Sequence, residues 1–246
     1  PSNNKIAPKM IFDRSYQDTY RDPGPFVTSK HVSTRNVLSI EKNNLYLIGD
    51  GYSKKGRKPF VDKLNLKNLK TKRIYESDYV GKTLNIVDAL DLKKGTFLIR
   101  LESKNEYPNY YIQNLKKNKS AVSLTDFKNP FESIQNVTKK IITYKRDDGL
   151  DLSGTLYLPT NFEEGKKYPM ILWAYPREYK DKKNASQVTA NANKFTYPYY
   201  GSPIYWVTRG YVVLDDASFP IVGEGNEEPN DTCIKQLVAN GKAAID

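Results

Sequence analysis

A β-rich half followed by an α/β half is the architecture this sequence predicts. Three observations lead there. Short runs of alternating polarity, separated by turn residues, recur through residues 1–139. From residue 140 onward the runs become solidly apolar, as in MILWA (170–174) and YVVL (211–214). Helix start and stop signals then appear between and after those runs. The expected division is therefore 1–139 and 140–246.

In the first half the strands are read as NVLSI (36–40), LYLIG (45–49), FVDKLNL (60–66) and KRIYES (72–77), with turns at KNN and KKGRKP. A second set follows: TLNIVDAL (83–90), TFLIRL (96–101), NYYIQNL (109–115) and SAVSLTDF (120–127). The sets echo each other. Leu47-Ile48, Pro59 and Leu64-Asn65-Leu66 correspond to Leu98-Ile99, Pro108 and Gln113-Asn114-Leu115. A period of about 50 residues with four strands per unit is the size of a propeller blade. Two blades cannot close a ring, so either further blades precede residue 1 or the half is a small open sheet. DRSYQDTYRDPG (13–24) reads as loop or as the remnant of an earlier blade.

The second half opens with IITYKRDDGLDLSGTLYLP (141–159), two strands joined at Asp147-Asp148-Gly149. GKKYPMILWAY (165–175) leads into a strand buried on both faces. SPIYWVTRG (202–210) reads as a short helix stopped at Gly210, and YVVLD (211–215) as a second buried strand. NDTCIKQLVANGKAAID (230–246) starts a helix with Asn230 or Asp231 as N-cap. Its apolar face is read as Ile234, Leu237, Val238 and Ile245, turned to the core, with Cys233 a buried helix-face residue. Hairpin, strand, helix, strand, helix is the opening of an α/β sheet.

Composition limits the chemistry. The formal net charge is +11, yet the lysines are dispersed through KKGRK (54–58), LKNLKTKR (66–73) and LKKNKS (115–120). That pattern is a solvated basic surface, not a nucleic-acid footprint. One His and one Cys, His31 and Cys233, supply too few donors for a zinc site and allow no internal disulfide. No cofactor is expected. No apolar run approaches the roughly 18 residues of a membrane span. Pro1 in place of an initiator Met, without a signal-peptide pattern, leads us to expect an earlier natural start; the compartment is not legible.

The series DGLDLSGTLYLP, YPMILWAYPREY and SPIYWVTRGYVVLDDASFPIVGEG resembles the start of the catalytic domain in prolyl oligopeptidase-type serine peptidases. PREY and VGEGNEEPNDT resemble the glutamyl endopeptidase branch in particular. The likeness covers 141–246, and the two blade-like units before it fit that family's N-terminal β-propeller. It implies a C-terminal part of a propeller followed by an incomplete α/β-hydrolase domain, acting on short or flexible peptides.

The chain departs from the family in one respect. An α/β-hydrolase needs a G-x-S-x-G elbow followed in order by an acid and a histidine. Gly154, Gly201 and Gly210 have no partner glycine at that spacing, GEG (223–225) holds no serine, and His31 precedes the whole domain. The expectation is an internal fragment, inactive alone, whose partners are its peptide substrate and the missing part of the hydrolase domain, with neither nucleic acid nor membrane among them. A sheet without its central strands would leave a hydrophobic edge and favour self-association. A basic β-rich binding protein, for nucleic acid or a protein partner, and a catalytically dead hydrolase scaffold are the alternatives.

By the resemblance, Tyr175, just past MILWA, donates its hydroxyl to an oxyanion hole. Arg177 and Glu178 lie at the same strand edge. Arg177 suits a substrate carboxylate, as cleavage after glutamate requires, or an ion pair with Glu178, Glu224 or Glu227. Glu224, with Glu227 and Glu228, either recognises a peptide amino terminus or buttresses its loop against Arg177 or Arg209. Cys233, near a helix start without a histidine as base, is not expected to act as a nucleophile.

Overall fold

A computed structural model describes residues 7–32, 34–117 and 120–246. Asn118 and Lys119 of the LKKNKS run lie outside the described residues. Segment 13–24 is loop, with one 3-10 turn at Thr19–Arg21. Strands β1 (Thr28–Lys30) and β2 (Asn36–Leu38) form an exposed hairpin.

The first larger sheet consists of β3 (Asn44–Gly49), β6 (Phe60–Asn65) and β7 (Thr71–Glu76), antiparallel in the order β3-β6-β7. The short hairpin β4 (Tyr52–Ser53) and β5 (Gly56–Arg57) projects from it. NVLSI, the first strand expected of this unit, is not part of the sheet: among the described residues Asn36–Leu38 pairs with β1 instead. Residues 25–27 take that place along β3 instead. Val27 N–H donates to the Tyr46 carbonyl (2.8 Å), Ile48 N–H donates to the Pro25 carbonyl (3.1 Å), and Phe26 bridges Leu47. The reason is burial. Val27 enters the core and Phe26 packs beside Leu45, Leu47 and Leu64, whereas Val37 and Leu38 stay exposed.

The second sheet is β8 (Thr83–Asp91), β9 (Thr96–Glu102), β10 (Asn109–Asn114) and β11 (Val122–Ser123), in the order β11-β10-β9-β8. One core joins the two sheets: Tyr46, Val61 and Tyr75 from the first meet Leu84, Phe97 and Ile99 from the second and Leu115 in the 3-10 turn that follows β10.

The third sheet is β12 (Thr138–Lys145), β13 (Asp151–Leu158), β14 (Met170–Tyr179) and β15 (Val212–Val222), in the order β12-β13-β15-β14. β12 and β13 form the expected hairpin, from Thr138↔Leu158 to Lys145↔Asp151. β15 runs antiparallel to β13 and parallel to β14. The crossover between β14 and β15 holds α1 (Lys182–Ala185) and a 3-10 helix at Pro203–Arg209. Ser202 caps that helix and Gly210, at φ 83°, ends it in the left-handed region that disfavours a side chain.

Two strands run further than the sequence suggests. β14 continues through Tyr175-Pro176-Arg177-Glu178 to Tyr179, and β15 continues through Asp216 and Phe219-Pro220 to Val222. A bulge joins the two stretches: Leu172 pairs Leu214 but Ala174 pairs Ala217, so Asp215 and Asp216 together oppose Trp173. Asp216 sits at φ 48°, a region aspartate tolerates better than most side chains. Pro220 is accommodated because the described pairing of β13 with β15 stops at Asp215, leaving this stretch an edge.

The last helix, α2 (Cys233–Ile245), is also corrected. Thr232 is its N-cap, and Glu228 caps the preceding 3-10 turn Pro229–Thr232. Its packed face combines Ala243, set against Leu150, Leu152 and Val222, with two side-chain amides. Gln236 donates to the Val222 carbonyl (2.8 Å) and accepts from the Val222 N–H (2.9 Å), and Asn240, fully buried, donates to the Pro220 carbonyl (3.0 Å). Side-chain amides are selected here because β15's tip has bare backbone groups to satisfy. The stripe Ile234, Val238 and Ile245 consequently faces solvent. Cys233 is half-buried, not buried. The expected burial of the MILWA strand on both faces is not found: β14 ends the sheet, so one of its long sides has no neighbouring strand, and Met170, Trp173 and Tyr175 are exposed along it.

Candidate functional site

Past the bulge, β14 and β15 carry their side chains into a shallow depression of about 50 Å³ beneath the crossover. Tyr175, Arg177 and Tyr179 line it from β14, Asp216, Ser218 and Pro220 from β15, and Gln187, Thr189 and Ala190 from the crossover. Tyr175, 78% exposed, stands opposite Ser218 in the register. The Ser218 hydroxyl bonds that of Ser153 (3.2 Å), so these two hydroxyls satisfy each other.

Arg177 lies 3.9 Å from Asp216, with both side chains mostly exposed. Such a pair contributes little by itself, which leaves the guanidinium accessible to an incoming carboxylate. Its neighbour is not Glu178, Glu224 or Glu227, because the bulge, absent from a linear reading, turns Asp216 toward it. The glutamates have other partners. Glu228 pairs with Lys180, and the Glu224 carboxylate accepts from the Lys182 N–H (3.4 Å). The loop is therefore fastened to the end of β14 and the start of α1 by lysines, not by Arg177 or Arg209. Gly223 makes this fold-back possible: a Cβ there would lie 2.5 Å from the Glu227 carbonyl. Glu178 itself contributes its main chain, accepting from Gln17.

Three features escaped the sequence reading. Segment 13–24 reaches this depression from the β-rich half. The Gln17 side chain donates to the Glu178 carbonyl (2.8 Å) and accepts from the Lys180 N–H (3.0 Å), while Asp18 accepts from Gln187 (2.8 Å). The Gln187 amide holds the Asp18 carboxyl below the usual carboxylate range.

The second feature is a cavity of about 540 Å³ between the halves, with Lys139, Tyr157 and Asp215 facing Arg57, Arg100 and Glu102. Glu102 joins the halves, accepting from Asn85 (2.9 Å) and from the Phe195 N–H (3.0 Å). Burial pushes the Lys139 ammonium down to about 8 and the Asp215 carboxyl up.

The third is Arg146, buried behind the site. It binds Asp148 through two bonds of 2.9 Å and Asn240 through one of 2.9 Å. Asp147-Asp148-Gly149 reads as turn chemistry alone, and nothing local in sequence marks Asn240 as the partner. His31, by contrast, sits in the β1–β2 hairpin, where its N–H donates to the Arg35 carbonyl (2.8 Å).

No family model matches the chain. It is 34% identical over 261 residues to a probable chloroplastic glutamyl endopeptidase of Oryza sativa subsp. japonica, and 34% over 263 residues to one of Arabidopsis thaliana. Each match covers 100% of this chain but 28% and 27% of the respective relative. The chain thus spans little more than a quarter of the length of the curated relatives it matches. Among solved structures it is similar to dipeptidyl peptidase 4 of Porphyromonas gingivalis, with a TM-score of 0.54 and 15% identity over 85% of this chain and 30% of that one. That likeness is one of fold.

Proposed function

Because the chain belongs to the prolyl oligopeptidase-type peptidase family, in its glutamyl endopeptidase branch, we propose that it supplies the substrate-facing framework of a serine peptidase cleaving peptides after glutamate. The two small sheets are adjacent propeller blades, and residues 140–246 are the opening half of an α/β-hydrolase domain. The nucleophile, acid and base come from residues outside these 246, so the chain alone is inactive.

The observation that carries this reading is the pairing of similarity along the whole of this chain with an exposed Tyr175 and Arg177 on alternate positions of one strand. Alternation places both side chains on one face of β14. In the acyl-transfer step, a serine oxygen attacks the scissile carbonyl carbon, and the carbonyl oxygen acquires negative charge. The Tyr175 hydroxyl donates a hydrogen bond to that oxyanion, favouring the transition state over the neutral substrate. Arg177 holds the glutamate side chain, exchanging its loose pairing with Asp216 for a bidentate one. The alcohol proton passes through the base to the leaving amine, and water then releases the acyl group.

The test is cleavage by the full-length protein of peptides differing only in glutamate or alanine before the scissile bond. Arg177→Ala removes the glutamate preference, by about 10- to 100-fold for a lost charged hydrogen-bonding partner. Equal cleavage of both peptides by the unaltered protein would overturn the specificity.

A further inference from the structure

We propose that segment 13–22 is a positioning strap which sets the gap between the two walls of the Tyr175–Arg177 depression, with Gln17 as its central residue. The inference rests on the functional reading above for its kinetic consequence only; its structural part stands by itself.

The end of β14 has a bare edge. Tyr179 points its carbonyl toward β15's continuation, where it accepts from Gly223 N–H (2.9 Å). By alternation, the Glu178 carbonyl and the Lys180 N–H point the other way. The Gln17 amide occupies that edge, donating to the first (2.8 Å) and accepting from the second (3.0 Å), as a neighbouring strand's peptide group would. One residue earlier lies Arg177.

The strap grips the opposite wall as well. Tyr20 N–H donates to the Gln187 side chain (3.1 Å), which in turn donates to Asp18 (2.8 Å). The Tyr20 hydroxyl accepts from Val188 N–H (2.9 Å). Gln187, Thr189 and Ala190 form that wall. Within four residues, then, the strap binds the strand that carries Arg177 and the crossover facing it. Asp18 is a buried carboxylate in this junction, and Arg14 closes the strap on itself through Asp22 (2.8 Å). Since the strap leads directly into residues 25–27 of the first sheet, it couples the β-rich half to the site.

The experiment has two arms. In the 246-residue chain, hydrogen exchange is compared between the native sequence and Gln17→Ala. The expected result is about tenfold faster exchange at 177–180 and at 187–190 together, with β12 and β13 unchanged; tenfold corresponds to one hydrogen bond. Faster exchange at Lys180 alone, with 187–190 unmoved, refutes the clamp. In the full-length protein, Gln17→Ala raises KM for a glutamyl peptide about tenfold and leaves kcat and the alanyl peptide within twofold. Gln17→Glu, which keeps the acceptor for Lys180 N–H, recovers part of that loss. An equal loss on both peptides marks a merely structural role and overturns the positioning claim. A native protein without glutamate preference defeats the functional reading instead, and the exchange arm still decides the strap.

Discussion

Replacing Arg146 by alanine tests how the tip of β15 is held. The guanidinium is 4% exposed and connects three elements: Asp148 in the β12–β13 turn, the Pro220 carbonyl in β15 and Asn240 in α2. The contributions are unequal. Asp148 is 40% exposed, rehydrates when its partner is removed and keeps Lys182 beside it, so that pair supplies only part of the loss. The Pro220 carbonyl retains the Asn240 side-chain donor at 3.0 Å. Asn240 Oδ1 is buried, and its described partner is Arg146. Leaving such an acceptor unsatisfied costs about 1–3 kcal/mol, and the vacated side-chain volume adds to it, so about 3 kcal/mol is expected, the lower end for breaking a buried charged contact.

For a chain of this size that is roughly a 6–12 °C fall in Tm, read by circular dichroism melts and checked by urea unfolding. The pH profile carries a second signature. Arg146 holds the Asp148 carboxyl far below the usual range. A depressed carboxylate contributes stability above its unfolded pKa, and that contribution is lost as pH falls toward its folded value. Arg146→Ala therefore makes the acid limb below about pH 4 shallower, with Lys182 and the Leu150 N–H retaining the remainder. A variant within about 1 kcal/mol of the native chain, with an unchanged acid limb, would refute the reasoning, because solvent would then be replacing the network.

Other perturbations have equally defined outcomes. Tyr175→Phe in the full-length protein lowers kcat by about 10²–10³ with little change in KM, the effect of deleting one oxyanion donor; unaltered kcat removes Tyr175 from the mechanism. Lys139, with its pKa pushed down to about 8 by burial, binds fewer protons folded than unfolded above that pH. Stability thus rises with pH from about 8 toward the unfolded value near 10, and Lys139→Met abolishes the rise in a Tm series. Ile234→Lys with Val238→Glu on the exposed stripe of α2 shifts the chain toward monomer in sedimentation; a native chain that is already a monodisperse monomer contradicts the self-association expected of its apolar surfaces.

The elements with strong local patterns were legible in the sequence. The β12–β13 hairpin declared itself through Asp-Asp-Gly between alternating runs, and β14 and β15 through solid apolar runs between turn signals. What the sequence concealed was decided by distant partners. The stretch YPREY looks like a loop, with its proline and charges, yet it continues β14 because DASFPIV lies parallel beside it. Ile234, Val238 and Ile245 recur at helical spacing and read as a core face, but the backbone groups of β15 at Pro220 and Val222 demanded amides, and Gln236 and Asn240 took the inside. In the depression, Tyr175 is the residue the family resemblance singles out and Arg177 the one its place at the strand edge singles out, and both line it. Asp216 as Arg177's neighbour required the bulge, and Gln17 required a contact spanning 161 residues. No window along the chain contains such information.

The most direct measurement of the central proposal is labelling with a fluorophosphonate probe, followed by mass spectrometry of the modified peptide. The account predicts that the full-length protein is labelled at a serine outside these 246 residues and that the 246-residue chain, folded, is not labelled. A labelled serine within this chain, Ser153 or Ser218 above all, would contradict it.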